Sequence, residues 1–116
     1  MTYKELIVWQ KADELAIEIY KATRSFPKEE IYGLTSQLIR AALSIPTNRV
    51  ECYARKGDKE LARFVSISIG SMAETEYLLD FTKRLGYLKE KEYEKIEDMR
   101  KEVCKLLWNF YKKVTG

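Results

Sequence analysis

Tyr32-Gly33-Leu34-Thr35-Ser36-Gln37-Leu38-Ile39-Arg40-Ala41-Ala42-Leu43-Ser44-Ile45-Pro46-Thr47-Asn48 is the stretch that decides the fold. Leu34, Leu38, Ala41, Leu43 and Ile45 predict the buried side of a helix running from about Glu29 to Arg55. Pro46 falls well inside it. A proline there removes a backbone donor and crowds the carbonyl four residues back, at about 3 kcal/mol, so a kinked second helix is expected. Asn48, Glu51 and Arg55 follow the proline at spacings that share one helix face. They form either a polar site fixed by the kink or a local repair. In the repair, the simpler reading, Asn48 serves backbone groups freed by Pro46 while Glu51 and Arg55 pair with each other. Gly33 would weaken a helix interior, so it predicts close packing or an irregular first turn.

Working outward, Leu6, Trp9, Ala12, Leu15, Ala16, Ile19 and Phe26 step by threes and fours and predict a first helix from Lys4 to Ser25. Pro27 ends it, because the residue before proline is pushed out of the α region. Glu29 and Glu30 then sit near the next helix start, where carboxylates suit the positive dipole end. Lys56-Gly57 closes the second helix and Asp58 is a fitting N-cap for the third. The third helix, to about Leu85, carries Leu61, Phe64, Val65, Ser68, Met72, Thr75, Leu78, Leu79 and Thr82. Ser68, Gly70 and Ser71 in its middle predict the tightest helix crossing. Gly86 ends it, and a fourth helix from Lys89 to Val114 presents Ile96, Met99, Val103, Leu106, Leu107, Phe110 and Val114. Short connections predict an all-α, antiparallel up-down-up-down four-helix bundle, one domain spanning residues 1–116.

Composition fits that fold. The chain has 116 residues, 46% hydrophobic and 34% charged, with five Gly and two Pro, which argues against disorder or a disulfide scaffold. Cys52 and Cys104 without any histidine give neither zinc-ligand spacing nor a Cys–His nucleophile, and read as reduced thiols. No apolar run approaches the ~18 residues of a membrane span and no signal-peptide core opens the chain. The expectation is a cytoplasmic protein with no membrane partner.

No Gly-rich phosphate loop, Ser–His–Asp set or Walker lysine is present. A bundle di-metal site usually needs Glu-x-x-His pairs, which a chain without histidine lacks. The expectation is therefore no enzyme, no cofactor and no metal. Charge is more informative. Twenty-one bases against 18 acids leave a net +3. Arg49, Arg55, Lys56, Lys59 and Arg63 face only Glu51, Asp58 and Glu60, and are the candidate nucleic-acid contacts, since phosphates are bound by charge without sequence preference. Arg100, Lys101, Lys105, Lys112 and Lys113 against Glu102 form a second basic run. Both are also readable as solvated helix faces. Trp9, Phe26, Phe64, Phe81, Trp108 and Phe110 are most simply core or subunit-interface residues; a base-stacking platform would need them exposed beside the basic patch.

Tyr3-Lys4-Glu5-Leu6-Ile7-Val8-Trp9-Gln10-Lys11-Ala12, Phe26-Pro27-Lys28-Glu29-Glu30, Tyr32-Gly33-Leu34-Thr35-Ser36-Gln37, Ser44-Ile45-Pro46-Thr47-Asn48, Ser66-Ile67-Ser68-Ile69-Gly70-Ser71 and Leu85-Gly86-Tyr87-Leu88 together carry a family resemblance. The chain resembles the four-helix-bundle proteins encoded in intervening sequences of large-subunit ribosomal RNA genes. It is more distantly similar in fold to the accessory variability protein of diversity-generating retroelements, a basic pentameric bundle that works with a reverse transcriptase and its RNA. The resemblance implies a non-enzymatic homo-oligomer, most simply a pentamer, and it motivates RNA or a nucleoprotein as partner. The competing expectation is a protein-binding adaptor ring without nucleic-acid affinity. The family's usual Asn-Ile-Ala-Glu-Gly run is Asn48-Arg49-Val50-Glu51-Cys52 here. Arg49 must therefore be more exposed than its apolar counterpart, or meet a local contact that accepts its charge.

Overall fold

Four helices carry the chain: α1 (Ile7–Ala22), α2 (Leu34–Arg55), α3 (Asp58–Arg84) and α4 (Glu90–Thr115). The computed structural model describes residues 6–55 and 58–115, with side chains for 6–50 and 61–115. No strand occurs among the described residues. Each helix packs on its neighbours in sequence and α4 returns to α1, closing a four-helix bundle of 42 × 24 × 21 Å. Neighbours are antiparallel, as their cross-contacts show. Glu18 meets Lys95 at 3.3 Å at one level of α1 and α4, and Lys11 meets Glu102 at 3.5 Å at another.

The connection between α1 and α2 is more structured than the sequence suggests. Phe26, extended at φ −71° and ψ 151°, separates two short 3-10 turns, Thr23–Ser25 and Lys28–Glu30. The second helix therefore starts at Leu34 rather than Glu29. Glu30 caps it from outside: one carboxylate oxygen accepts the Leu34 N–H at 3.4 Å and the other accepts the Tyr87 hydroxyl at 3.0 Å. A Cβ on Gly33 would lie 2.9 Å from that first oxygen, which is the close packing the glycine predicts. Gly86, at φ +81°, ends α3 in a Schellman motif. Its N–H reaches the Lys83 carbonyl at 2.9 Å, and the Tyr87 N–H reaches that of Thr82 at 3.0 Å.

The core follows the apolar stripes, with Leu15, Ile19, Leu38, Ile45, Leu79, Ile96 and Leu107 all but sealed from solvent. On α3 all the expected positions from Phe64 to Thr82 are buried, and Leu61 is half-buried. Two expectations fail for one geometric reason. Leu43 is 45% exposed, because a residue two positions from Ala41 lies some 200° around the helix. Gly70 stands in the same relation to Ser68 and has open space around it, so the tight crossing excludes it. That crossing is made by Ser71, whose hydroxyl meets the Ser44 hydroxyl of α2, while Ser68 is fully buried.

Helix α2 runs unbroken through Pro46, which is buried. The Asn48 amide does not meet the carbonyl that Pro46 leaves without a donor. It donates to the Ser44 carbonyl and to the Ser44 hydroxyl, whereas the carbonyl that loses its donor to Pro46 is that of Ala42. Asn48 thus joins the Ser44–Ser71 contact between α2 and α3. The side chains of Glu51 and Arg55 lie outside the described residues.

Candidate nucleic-acid interface

The last turns of α2, the first turns of α3 and the last turns of α4 occupy the same end of the bundle. Phe64, buried near the start of α3, sets its ring edge-on to Phe110 of α4 at 6.5 Å, with Leu61 and Val114 packed alongside. This small second core sets Arg49 and Arg63 at the end of the bundle that carries Lys112 and Lys113. Arg49 is half-buried, and its guanidinium lies 5.8 Å from the Phe64 ring centre. A local contact thus accepts the charge where the family carries an apolar residue. Arg63 is exposed. Of the remaining candidates, the side chains of Arg55, Lys56 and Lys59 fall outside the described residues.

The fourth helix supplies the better-defined surface. Lys101, Lys105, Trp108 and Lys112 fall within about 60° of one another around the helix axis and are all exposed. Trp108 keeps 46% of its surface in solvent and meets Tyr111 edge-on at 5.6 Å. Of the two expectations for Trp108, core or subunit interface, the single chain does not meet the first: the ring is 46% exposed and otherwise borders the α3–α4 crevice beside Ile69 and Leu107. None of Lys101, Lys105, Lys112 and Lys113 forms an ion pair with a described residue. An indole flanked by ammonium groups at helical spacing offers a stacking face and phosphate contacts together.

Arg100 does not belong to this surface. It is 5% exposed, its Nε donates to Glu97 at 2.7 Å, and its Nη2 reaches both Glu97 and Glu76, the latter at 3.2 Å on α3. Burial works against its charge, but the Glu97 hydrogen bond and the two carboxylates outweigh it, so its pKa is raised. The sequence carried a sign of this, since Ile96, Arg100, Val103 and Leu107 share the apolar spacing. Cys104 lies beside it as a half-buried free thiol in a crevice of about 160 Å³ between α3 and α4. Among the described residues, no group of three or more His, Cys, Asp or Glu is placed to hold a metal ion, and no helix is long and apolar enough to cross a membrane.

Comparison with known proteins agrees with the fold. The family model described as 23S rRNA-intervening sequence protein matches residues 4–109. A crystal structure of a protein of unknown function from the S23 ribosomal protein family of Bacteroides thetaiotaomicron superposes with a TM-score of 0.79 at 27% identity, covering 91% of this chain and 99% of that one. No curated protein matches the chain.

Proposed function

The chain belongs to the 23S rRNA-intervening sequence protein family, and from that premise we propose that it is a non-enzymatic RNA-binding module acting as a cytoplasmic homo-oligomer. The observation that carries this reading is the outer stripe of α4, where Trp108 stands exposed among Lys101, Lys105 and Lys112. Ammonium groups without protein partners release counterions when they meet phosphates, and an exposed indole adds sequence-tolerant stacking. Arg49 and Arg63 at the same end extend the basic surface. Self-association multiplies weak contacts by avidity. It would also cover the apolar groove of about 190 Å³ where Ile17 and Tyr20 of α1 face Leu43 of α2, all three exposed. The resemblance implies five copies.

The test is titration of a labelled single-stranded RNA at several salt concentrations. Binding should weaken steeply with salt, with a slope near −0.7 per phosphate neutralised. The triple variant Lys101→Gln, Lys105→Gln, Lys112→Gln should flatten that slope by about 2 for each subunit engaged. Absence of binding at ~50 mM salt, where phosphate contacts are strong, would replace this reading with the protein-binding adaptor. Light scattering of the wild type as a stable monomer would remove the oligomer.

A further inference from the structure

Between α3 and α4, Ile69, Met72, Ala73 and Leu107 wall a crevice of about 160 Å³, with Arg100 and Cys104 along it and the half-exposed Trp108 at its edge. That is about ten times the space one water needs, room for a flat ring rather than for solvent alone. We propose that this crevice takes one nucleobase of a bound single-stranded RNA, its ring against the Trp108 indole and an acceptor atom of the base toward the Arg100 guanidinium. The inference rests on the RNA reading and adds to it the place where a base leaves the strand.

Arg100 is the residue that points to a ligand. Its Nε and Nη2 are taken up by Glu97 and Glu76. Its Nη1 meets no acceptor among the described residues, yet it is not one of the sealed polar atoms. On a residue only 5% exposed, those N–H groups open into the crevice that Arg100 lines. A donor held there favours an occupant that accepts from it. The two carboxylates together outweigh the single guanidinium charge, so an anion is a poor occupant. A neutral carbonyl oxygen or ring nitrogen suits the free donor, and apolar walls favour a neutral ring over a charged group. The indole adds a stacking face. Around the axis of α4, Trp108 separates the crevice from the lysine stripe. Cys104 lies about 40° to one side of it, and Lys101, Lys112 and Lys105 lie about 20–60° to the other. A strand with its phosphates on the lysines thus passes directly over the mouth of the crevice.

Cys104 reports occupancy from within, because its half-buried thiol lines the crevice. The experiment times alkylation of Cys104 by uncharged iodoacetamide in the Cys52→Ser chain, alone, with saturating hexauridylate, and with a saturating hexamer of abasic tetrahydrofuran phosphates. Hexauridylate should slow the reaction several-fold and the abasic hexamer should not. Ala73→Phe, which fills the crevice from an exposed position on α3, should weaken hexauridylate binding at least about fivefold, with abasic binding and helical circular dichroism unchanged. Equal protection by the abasic hexamer, or hexauridylate binding that leaves alkylation unchanged, would overturn the base site while the RNA reading stands. Absence of salt-sensitive binding by either hexamer would remove both. Protection by a phenylalanine-containing peptide but not by hexauridylate would overturn the proposal in favour of a protein ligand.

Discussion

The outer face of α4 is acidic along its first half, with Glu90, Glu94 and Asp98, and basic along its second, with Lys101, Lys105 and Lys112. In the first half Glu94 and Asp98 meet no base among the described residues, but other charges bridge the helices. Glu90 pairs with Lys83 at 3.4 Å, Lys95 with Glu18 at 3.3 Å, and Glu97 with Arg100. In the second half only Glu102 reaches across, to Lys11 of α1, and the lysines meet no acid among the described residues. The helix dipole favours acids first and bases last, but it fades within a terminal turn and so does not account for Lys101 or Lys105. The outer stripe thus carries two unpaired acids followed by three unpaired lysines among the described residues, and only the basic part suits a phosphate.

The sharpest way to break this contrast is at its boundary. Arg100→Ala removes the cation that Glu97 and Glu76 share and leaves Glu97, whose second oxygen is buried without a hydrogen-bond partner among the described residues, uncompensated. Unfolding by denaturant should show a loss of about 3–5 kcal/mol. The double replacement Arg100→Met with Glu97→Gln should recover much of it, since no full charge then stays buried. A loss within a few tenths of wild type would mean the triad is ornamental to stability.

Beyond the boundary the expected effects move from folding to binding. Trp108→Ala should leave the melting temperature nearly unchanged and weaken RNA affinity by about 1–3 kcal/mol, the usual worth of one base stacked on an aromatic ring. A large stability loss with intact RNA affinity would return Trp108 to the core. Back in the acidic half, Tyr93 gives a pH signature. Its raised phenol pKa means the folded chain holds that proton more tightly than the unfolded chain does. The stability this contributes is complete below pH 10.0, the ordinary tyrosine value, and is lost as pH rises through the folded value. Alkaline melting curves should therefore fall more gently for Tyr93→Phe than for wild type. The smallest effect belongs to Lys95→Ala, which opens an exposed pair and should cost no more than about 0.5 kcal/mol by the same melting assay.

What could be read from the sequence tracks periodicity. The four helices, their antiparallel order and the whole inner face of α3 follow from apolar steps of three and four, and Gly86 marked a helix end by its conformational freedom. Residue type and helical angle disagree at three positions, and angle prevails: Leu43 faces solvent although it is leucine, Gly70 lies off the crossing although it is small, and Arg100 is buried although it is charged. The α4 stripe was legible only in part: the basic run was visible, but Trp108 reads as core until its angle relative to Leu107 and Lys105 is considered. The Glu30 cap at the start of the second helix follows the expected preference for a carboxylate there, whereas its bond to Tyr87, 57 residues away, carries no signal in the sequence.

That cap has a kinetic meaning. The helical hairpins α1–α2 and α3–α4 are joined by chain only at the basic end. At the other end the Glu30–Tyr87 hydrogen bond and the Phe26–Tyr87 ring contact at 5.7 Å act as a latch between them. Parting the hairpins at that end requires the latch and the nearby Glu18–Lys95 pair to break, whereas the opposite end is tied by the chain as well.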